Sequence, residues 1–200
     1  AKEEKKQITL NIEQQAVLSC FHRDYRAGKI GKYLLHGVTG SGKTEVYMGM
    51  LEEVLKSGKQ AIVLIPEIAL TFQTVMRFYG RFGDKVSVIH SKMSPGERYD
   101  QMERAKKGEI SIMIGPRSAV FTPFPDLGMI IIDEEHEGSY KSETNPKYHA
   151  REVANHRCDR SGAVLVLGSA TPSVDSYFKA SCGEYTLLKL SNRINNLKLA

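Results

Sequence analysis

Six short runs in this chain are almost unbrokenly apolar: KYLLH (32–36), AIVLI (61–65), VSVI (86–89), ISIMI (110–114), MIIID (129–133) and AVLVL (163–167). A strand with one wet face alternates apolar and polar residues. Runs that do not alternate fit strands covered on both faces, as in a parallel sheet. Helical patterns lie between them. After Lys43, the residues Val46, Tyr47, Met50, Leu51, Val54 and Leu55 recur at helix spacing, and Gly58 stops the pattern. Ile68, Phe72, Val75, Met76, Tyr79 and Phe82 mark a second helix, and Ser94-Pro95-Gly96-Glu97 opens a third with a capping box and a first-turn proline. Tyr148 to Asp159 reads as a fourth helix, and Thr171-Pro172 opens a fifth. Strands and helices alternating in this way predict an α/β fold, a mostly parallel open sheet with helices on both faces.

Two segments break the alternation. FTPFPDLG (121–128) is a proline-rich loop, and EGSYKSETNPKYH (137–149) is a polar loop carrying aromatic residues. The second follows the MIIID strand, where open α/β sheets place functional groups.

Composition narrows the partner classes. At 41% hydrophobic and 26% charged residues the chain is of ordinary globular type. No apolar run approaches the ~20 residues that span a bilayer. The start, AKEEKKQITL, lacks the apolar core of a signal peptide, so the expected compartment is the cytoplasm and no membrane partner is expected. Three cysteines, far apart and without a C-x-x-C pair, speak against a disulfide framework or a zinc site. A formal charge of +5 permits a polyanionic partner without identifying one.

The chemistry begins in GVTGSGKTEVY (37–47), directly after the first apolar run. Gly37, Gly42, Lys43 and Thr44 match G-x-x-x-x-G-K-[ST] with a strand before and a helix after. Gly37, Gly40, Ser41 and Gly42 form the loop whose backbone N–H groups can point at a phosphate, helped by the helix dipole. Lys43 suits the β- and γ-phosphates of a nucleoside triphosphate, and the Thr44 hydroxyl suits Mg²⁺. In IIIDEEHE, Asp133 ends a buried strand within reach of that metal. Glu134 is placed to polarise the attacking water, and His136 to link this site to other motifs. LGSATPS (167–173) ends another strand, where the hydroxyls of Ser169 and Thr171 can sense those acidic residues; Thr171 also reads as a helix N-cap.

Taken in order, LNIEQQ (10–15), GVTGSGKTEVY, LIPEIALT (64–71), GPRSAVFTPF (115–124), IIIDEEHEGSYK and LGSATPS resemble the first motor lobe of superfamily 2, DEAH-like helicases. Among these they are most similar to the replication-restart DNA helicases of bacteria. The resemblance implies a RecA-like P-loop lobe in which the LGSAT strand lies between the P-loop strand and the DEEH strand. It implies ATP and Mg²⁺ as ligands, with zinc confined to another part of the full-length protein. Forked and single-stranded DNA, primosome proteins and single-stranded DNA-binding protein are the partners it implies, with 3′-to-5′ movement.

Residue by residue, the resemblance casts Gln14 as an adenine-reading glutamine. Pro66, Glu67 and Thr71 become contacts or relays to the DNA backbone, and Arg117 and Ser118 a further DNA-facing pair. His90 and Ser91 are weaker candidates at the same sheet edge. Tyr140, Tyr148 and Arg151 fall in the position of an aromatic-rich loop that couples DNA to hydrolysis, where an aromatic can stack on a base. Phe72, Pro116 and Asn145-Pro146-Lys147 depart from the family pattern, which bears on DNA contacts and leaves the ATP motifs intact.

The division expected is an extension over 1–9, the ATP-binding lobe over 10–190, and a linker over 191–200 toward a second lobe. That second lobe would carry an arginine finger, worth roughly 10³–10⁵ in rate in related phosphoryl transfer. The expectation is therefore weak Mg-nucleotide binding and very little turnover by this chain alone. Two other readings stay open: a lobe of another superfamily 2 translocase such as a RecG-like fork remodeller, and a non-catalytic module that binds DNA or protein.

Overall fold

The computed structural model describes residues 9–192, so the segments 1–8 and 193–200 of the expected extension and linker lie outside the described residues. In chain order the large elements are α1 (Ile12–Arg26), β1 (Lys32–Gly37), α2 (Lys43–Lys56), β2 (Gln60–Leu64), α3 (Phe72–Phe82), β3 (Val86–Val88), α4 (Pro95–Lys106), β4 (Ile112–Gly115) and β5 (Leu127–Ile132). A short hairpin of β6 (Lys141–Ser142) and β7 (Tyr148–His149) follows, then α5 (Ala150–Ser161), β8 (Val164–Ser169), α6 (Val174–Ser181) and β9 (Thr186–Leu190).

Seven strands form one sheet in the order β3-β4-β2-β5-β8-β1-β9, and every pairing is parallel. The unbroken apolar runs are explained by two cores, one on each face. Tyr33, Leu35, Val63, Ile131 and Val166 point into a core with Val17, Phe21, Val46 and Leu51 of α1 and α2. Their neighbours Leu34, Ile62, Leu64, Ile130, Ile132 and Leu165 point the other way, onto Ala150, Ala154 and Cys158 of α5. Successive side chains on a strand face opposite ways, so apolar cover on both faces requires every position to be apolar. Cys158, deep in the second core, has its thiol pushed up to about 12 by burial.

The sheet contains one strand that no apolar run announced. Edge strand β9 pairs with β1, burying Leu188 and Leu190 while Thr186 and Lys189 face water. Helix α1 likewise escaped periodicity. It starts from a capping box in which Asn11 and Gln14 satisfy each other's backbone N–H groups.

Some expected boundaries and faces move. Helix α5 starts at Ala150, because Tyr148 and His149 are held in the hairpin. Helix α6 starts after Ser173, whose hydroxyl accepts from Ser176 N, so Thr171-Pro172 precedes the helix and does not open it. Ile68 belongs to a 3-10 turn (Glu67–Ala69) ahead of α3. The apolar residues that marked this helix are largely exposed: Ile68 and Phe72 are 88% and 81% accessible, and Phe78 is the buried residue of α3.

Candidate nucleotide site and the adjoining groove

The loop after β1 folds as the glycines allow. Gly40 and Gly42 take positive φ angles of 79° and 84°, a left-handed backbone that Cβ-bearing residues avoid. At Gly37 a Cβ would lie 2.5 Å from Ser41 Oγ and 3.1 Å from the Lys43 stem, so the absent side chain keeps the loop tight. Gly42 is the N-cap of α2 and brings no side chain to cap it, which leaves first-turn N–H groups for an anion. Ser41 Oγ is buried and has no hydrogen-bond partner among the described residues.

Lys43 lies on this floor with its side chain 9% exposed. Its ammonium donates to the Gly37 carbonyl at 2.8 Å and stands 3.4 Å from Glu134 Oε1. Glu134 follows β5 with φ of 47°, the one non-glycine residue with positive φ among the described residues. Such a backbone is retained at a cost of order 1–3 kcal/mol, and the turn it makes brings Glu134 over the P-loop. Burial pushes the Asp133 carboxyl above the ordinary carboxylate range, against the lowering effect of the Tyr47 hydroxyl that donates to it at 2.7 Å.

The LGSAT segment meets this cluster through His136. Ser169 Oγ is 2.7 Å from His136 Nδ1, Thr171 Oγ1 is 3.4 Å from Nε2, and Thr171 N–H donates to Ser169 Oγ at 3.0 Å. Glu134 Oε2 lies 3.7 Å from the same imidazole. Thus Lys43, Glu134, His136, Ser169 and Thr171 form one chain of contacts across the C-terminal ends of β1, β5 and β8. Neighbouring strands bring these ends together, β8 lying between β5 and β1.

The residues fit a Mg-nucleotide. The unpartnered Ser41 hydroxyl, uncapped helix terminus and nearby ammonium make an anion cradle. Among the described residues no group of three or more His, Cys, Asp or Glu could hold a metal by itself. Thr44 and Asp133 are the residues that would hold a magnesium ion here.

A second concavity, ≈ 420 Å³, opens beside the site. It brings together Pro66, Glu67, His90, Ser91, Arg117, Ser118, Tyr140 and Tyr148, residues far apart in the chain. Asn145 and Pro146, joined by a cis peptide bond, lie on its rim. Glu67 accepts from the N–H and hydroxyl of Ser91 at 3.0 and 2.6 Å. Burial raises its carboxyl, but these hydrogen bonds outweigh that and hold it below the ordinary value. Arg117 donates to the carbonyls of Ser139 and Lys141, tying the loop after the DEEH strand to the groove wall. Arg98, unnoticed in the sequence, joins this lining, donates to the Ser91 carbonyl at 2.8 Å and leaves its buried Nε without a partner among the described residues.

Several expected roles meet a different geometry. Tyr140, expected to offer its ring to a base, is 1% exposed; its hydroxyl donates to the carbonyls of Asp133 (2.5 Å) and Leu64 (3.1 Å). A ring enclosed in this way cannot stack on a base. Tyr148 is half-buried against the second core and meets Phe121 edge-on at 5.0 Å between ring centroids. Gln14 is 2% exposed, its amide oxygen on Asn11 N–H and its amide nitrogen on the Gly42 carbonyl at 3.1 Å. It braces the P-loop and does not present a free amide to adenine. Arg151 turns inward, and Thr71, outside the groove, caps α3 through Thr74 N–H. Sequence reasoning missed Glu135. Its buried carboxylate accepts from Arg151 (3.0 Å), Ser173 N–H (2.7 Å) and Ser176 Oγ (3.1 Å), joining the DEEH turn to the first turns of α5 and α6. The pattern D-E-E with Arg151 and a serine pair downstream was visible, but not which carboxylate faced inward.

Comparison with known proteins agrees with this architecture. The DEAD/DEAH box helicase model matches residues 12–179, and the chain belongs to that family. Among curated proteins it is 51% identical over 189 residues to replication restart protein PriA of Bacillus subtilis (strain 168), covering 94% of this chain. It is 48% identical over 185 residues to PriA of Chlamydia pneumoniae, covering 92%. The chain spans about a quarter of these relatives, 24% and 25% of their lengths. In backbone it is similar to RecG bound to a three-way DNA junction (TM-score 0.68, 23% identity, 96% of this chain and 25% of that one). It also resembles the Pyrococcus furiosus Hef helicase domain (TM-score 0.64, 18% identity, 91% and 38%). At such identities these two likenesses speak to the RecA-like fold alone.

Proposed function

We propose that this chain is the ATP-binding motor lobe of a bacterial 3′-to-5′ DNA helicase that acts at stalled forks in replication restart and primosome assembly. The observation that carries the reading is the contact chain from Lys43 through Glu134 and His136 to Ser169 at the sheet's C-terminal edge, with a separate groove next to it. The curated relatives, named replication restart protein PriA, support the setting of replication restart. In this reading the partners are DNA, primosome proteins and single-stranded DNA-binding protein, and the compartment is the cytoplasm.

In this reading the P-loop N–H groups and Lys43 hold the triphosphate, and Glu134 orients the attacking water and takes its proton. The Lys43 ammonium, 3.4 Å from Glu134 Oε1, keeps that carboxylate at the edge of the phosphate site, within reach of the attacking water. Thr44 and Asp133 would hold the magnesium ion, which would supply charge neutralisation at the phosphates. His136 passes the state of Glu134 to Ser169 and Thr171. Pro66, Glu67, Arg117 and Ser118 track the DNA backbone, with Tyr148 offering a base-stacking face.

The test is ATP turnover by this chain with and without forked DNA, beside a Mg-ADP binding control. The expected outcome is Mg-ADP binding that Lys43→Ala abolishes, with almost no turnover by these 200 residues alone, because the proposed motor draws charge stabilisation from an arginine of a second lobe. Turnover that rises with DNA would contradict the reading of the chain as half a motor.

A further inference from the structure

Tyr47 sits one turn beyond Thr44 on α2, so the two side chains share a helix face. Its ring is 2% exposed, and its hydroxyl, 2.7 Å from Asp133 Oδ1, crosses from the P-loop helix to the end of β5. Nothing about core packing calls for that oxygen, since phenylalanine would fill the same volume. Burying a hydroxyl is unfavourable unless it is bonded, and here it is bonded to a carboxylate.

The neighbouring strand is shaped around the same oxygen. Gly168 of β8 faces Tyr47, and a Cβ there would overlap the hydroxyl. The Gly168 carbonyl meanwhile accepts the Glu135 N–H at 3.0 Å, so that backbone is held against the DEEH turn. The phenol therefore occupies a slot between α2, β5 and β8 from which it can reach Asp133. The backbone carbonyl of Asp133 is fixed separately by Tyr140.

We propose that Tyr47 is a positioning residue of the nucleotide site, whose hydroxyl sets the rotation of the Asp133 carboxylate toward the metal of a bound Mg-nucleotide. The proposal rests on the reading of residues 37–44 as a Mg-nucleotide site. Thr44 and Asp133, the two protein ligands of that reading, come from different elements, and Tyr47 bridges them. A partner that orients a metal-ligating carboxylate lowers the metal concentration needed and leaves the phosphate cradle unchanged.

The experiment is equilibrium binding of fluorescent ADP to the 200-residue chain, in EDTA and across a Mg²⁺ series, for wild type, Tyr47→Phe, Asp133→Asn and the double variant. The expected result is unchanged metal-free ADP affinity in Tyr47→Phe with the half-saturating Mg²⁺ raised about tenfold. In the Asp133→Asn background the second change should add nothing. Gly168→Ala, which displaces the hydroxyl from the other side, should reproduce the Mg²⁺ shift. An unaltered Mg²⁺ dependence in Tyr47→Phe would overturn the proposal, as would equal losses with and without the metal, the signature of packing alone. Wild-type ADP binding that Lys43→Ala does not weaken would remove the P-loop reading itself, and the proposal with it.

Discussion

Replacing Glu135 by alanine is expected to destabilise this chain more than any exposed charge substitution, and the structure sets the size. The Glu135 side chain has no accessible surface, while Arg151, 3.0 Å away, is 19% exposed. Removing one partner of a buried pair costs ~3–5 kcal/mol, because the surviving charge is left in a poor solvent. Arg151 keeps a second carboxylate, Asp175 at 3.5 Å, which places the expectation near the lower end, ~3 kcal/mol. For a chain of this size each kcal/mol moves the melting midpoint by ~2–4 °C, so a fall of ~6–12 °C is expected in a thermal melt. Glu135→Gln keeps the shape and an acceptor for Ser173 N–H, and should lose less. A cycle with Arg151→Met separates the pair from packing; direct partners of this kind couple by up to ~3 kcal/mol. A loss below ~1 kcal/mol for Glu135→Ala, the scale of an exposed ion pair, would refute the reasoning.

Two further predictions follow from the groove. Tyr140→Phe leaves the Asp133 carbonyl without its 2.5 Å donor and should cost ~1–3 kcal/mol, read as a lower melting midpoint and faster proteolysis within residues 137–149. Because Glu67 is held below its ordinary 4.5 in the folded chain, its contribution is complete above that value and disappears as pH falls through the lower folded pKa. Ser91→Ala should flatten that part of the acid-melting profile, and an unchanged profile would contradict the assignment.

Much of the architecture was legible because its cause is local. Covering both sheet faces forces residues such as Ile130 and Ile131 to be apolar in succession, so β5 announced itself. The P-loop was legible for the same reason: its turns need Gly40 and Gly42, whatever packs elsewhere. Strand β9 was not legible, because an edge strand half in water alternates weakly and gains its identity from pairing with β1. Thr171-Pro172 and Ser173 carry competing start signals for α6. Glu135 settles the choice by accepting the Ser173 N–H from 38 residues away.

Residue types with one chemical purpose were thus determined by the sequence itself: a phosphate loop, an acidic strand end, and a hydroxyl-bearing strand end in the order of a motor lobe. Only the tertiary structure decided which way each versatile side chain turned. Gln14, Tyr140 and Arg151 each suit an exposed contact as well as a buried one. Their direction depends on whether a distant partner can satisfy a buried polar group, here the Gly42 carbonyl, the Asp133 carbonyl and the Glu135 carboxylate. That condition is set by the folding of remote segments together, and no local pattern encodes it.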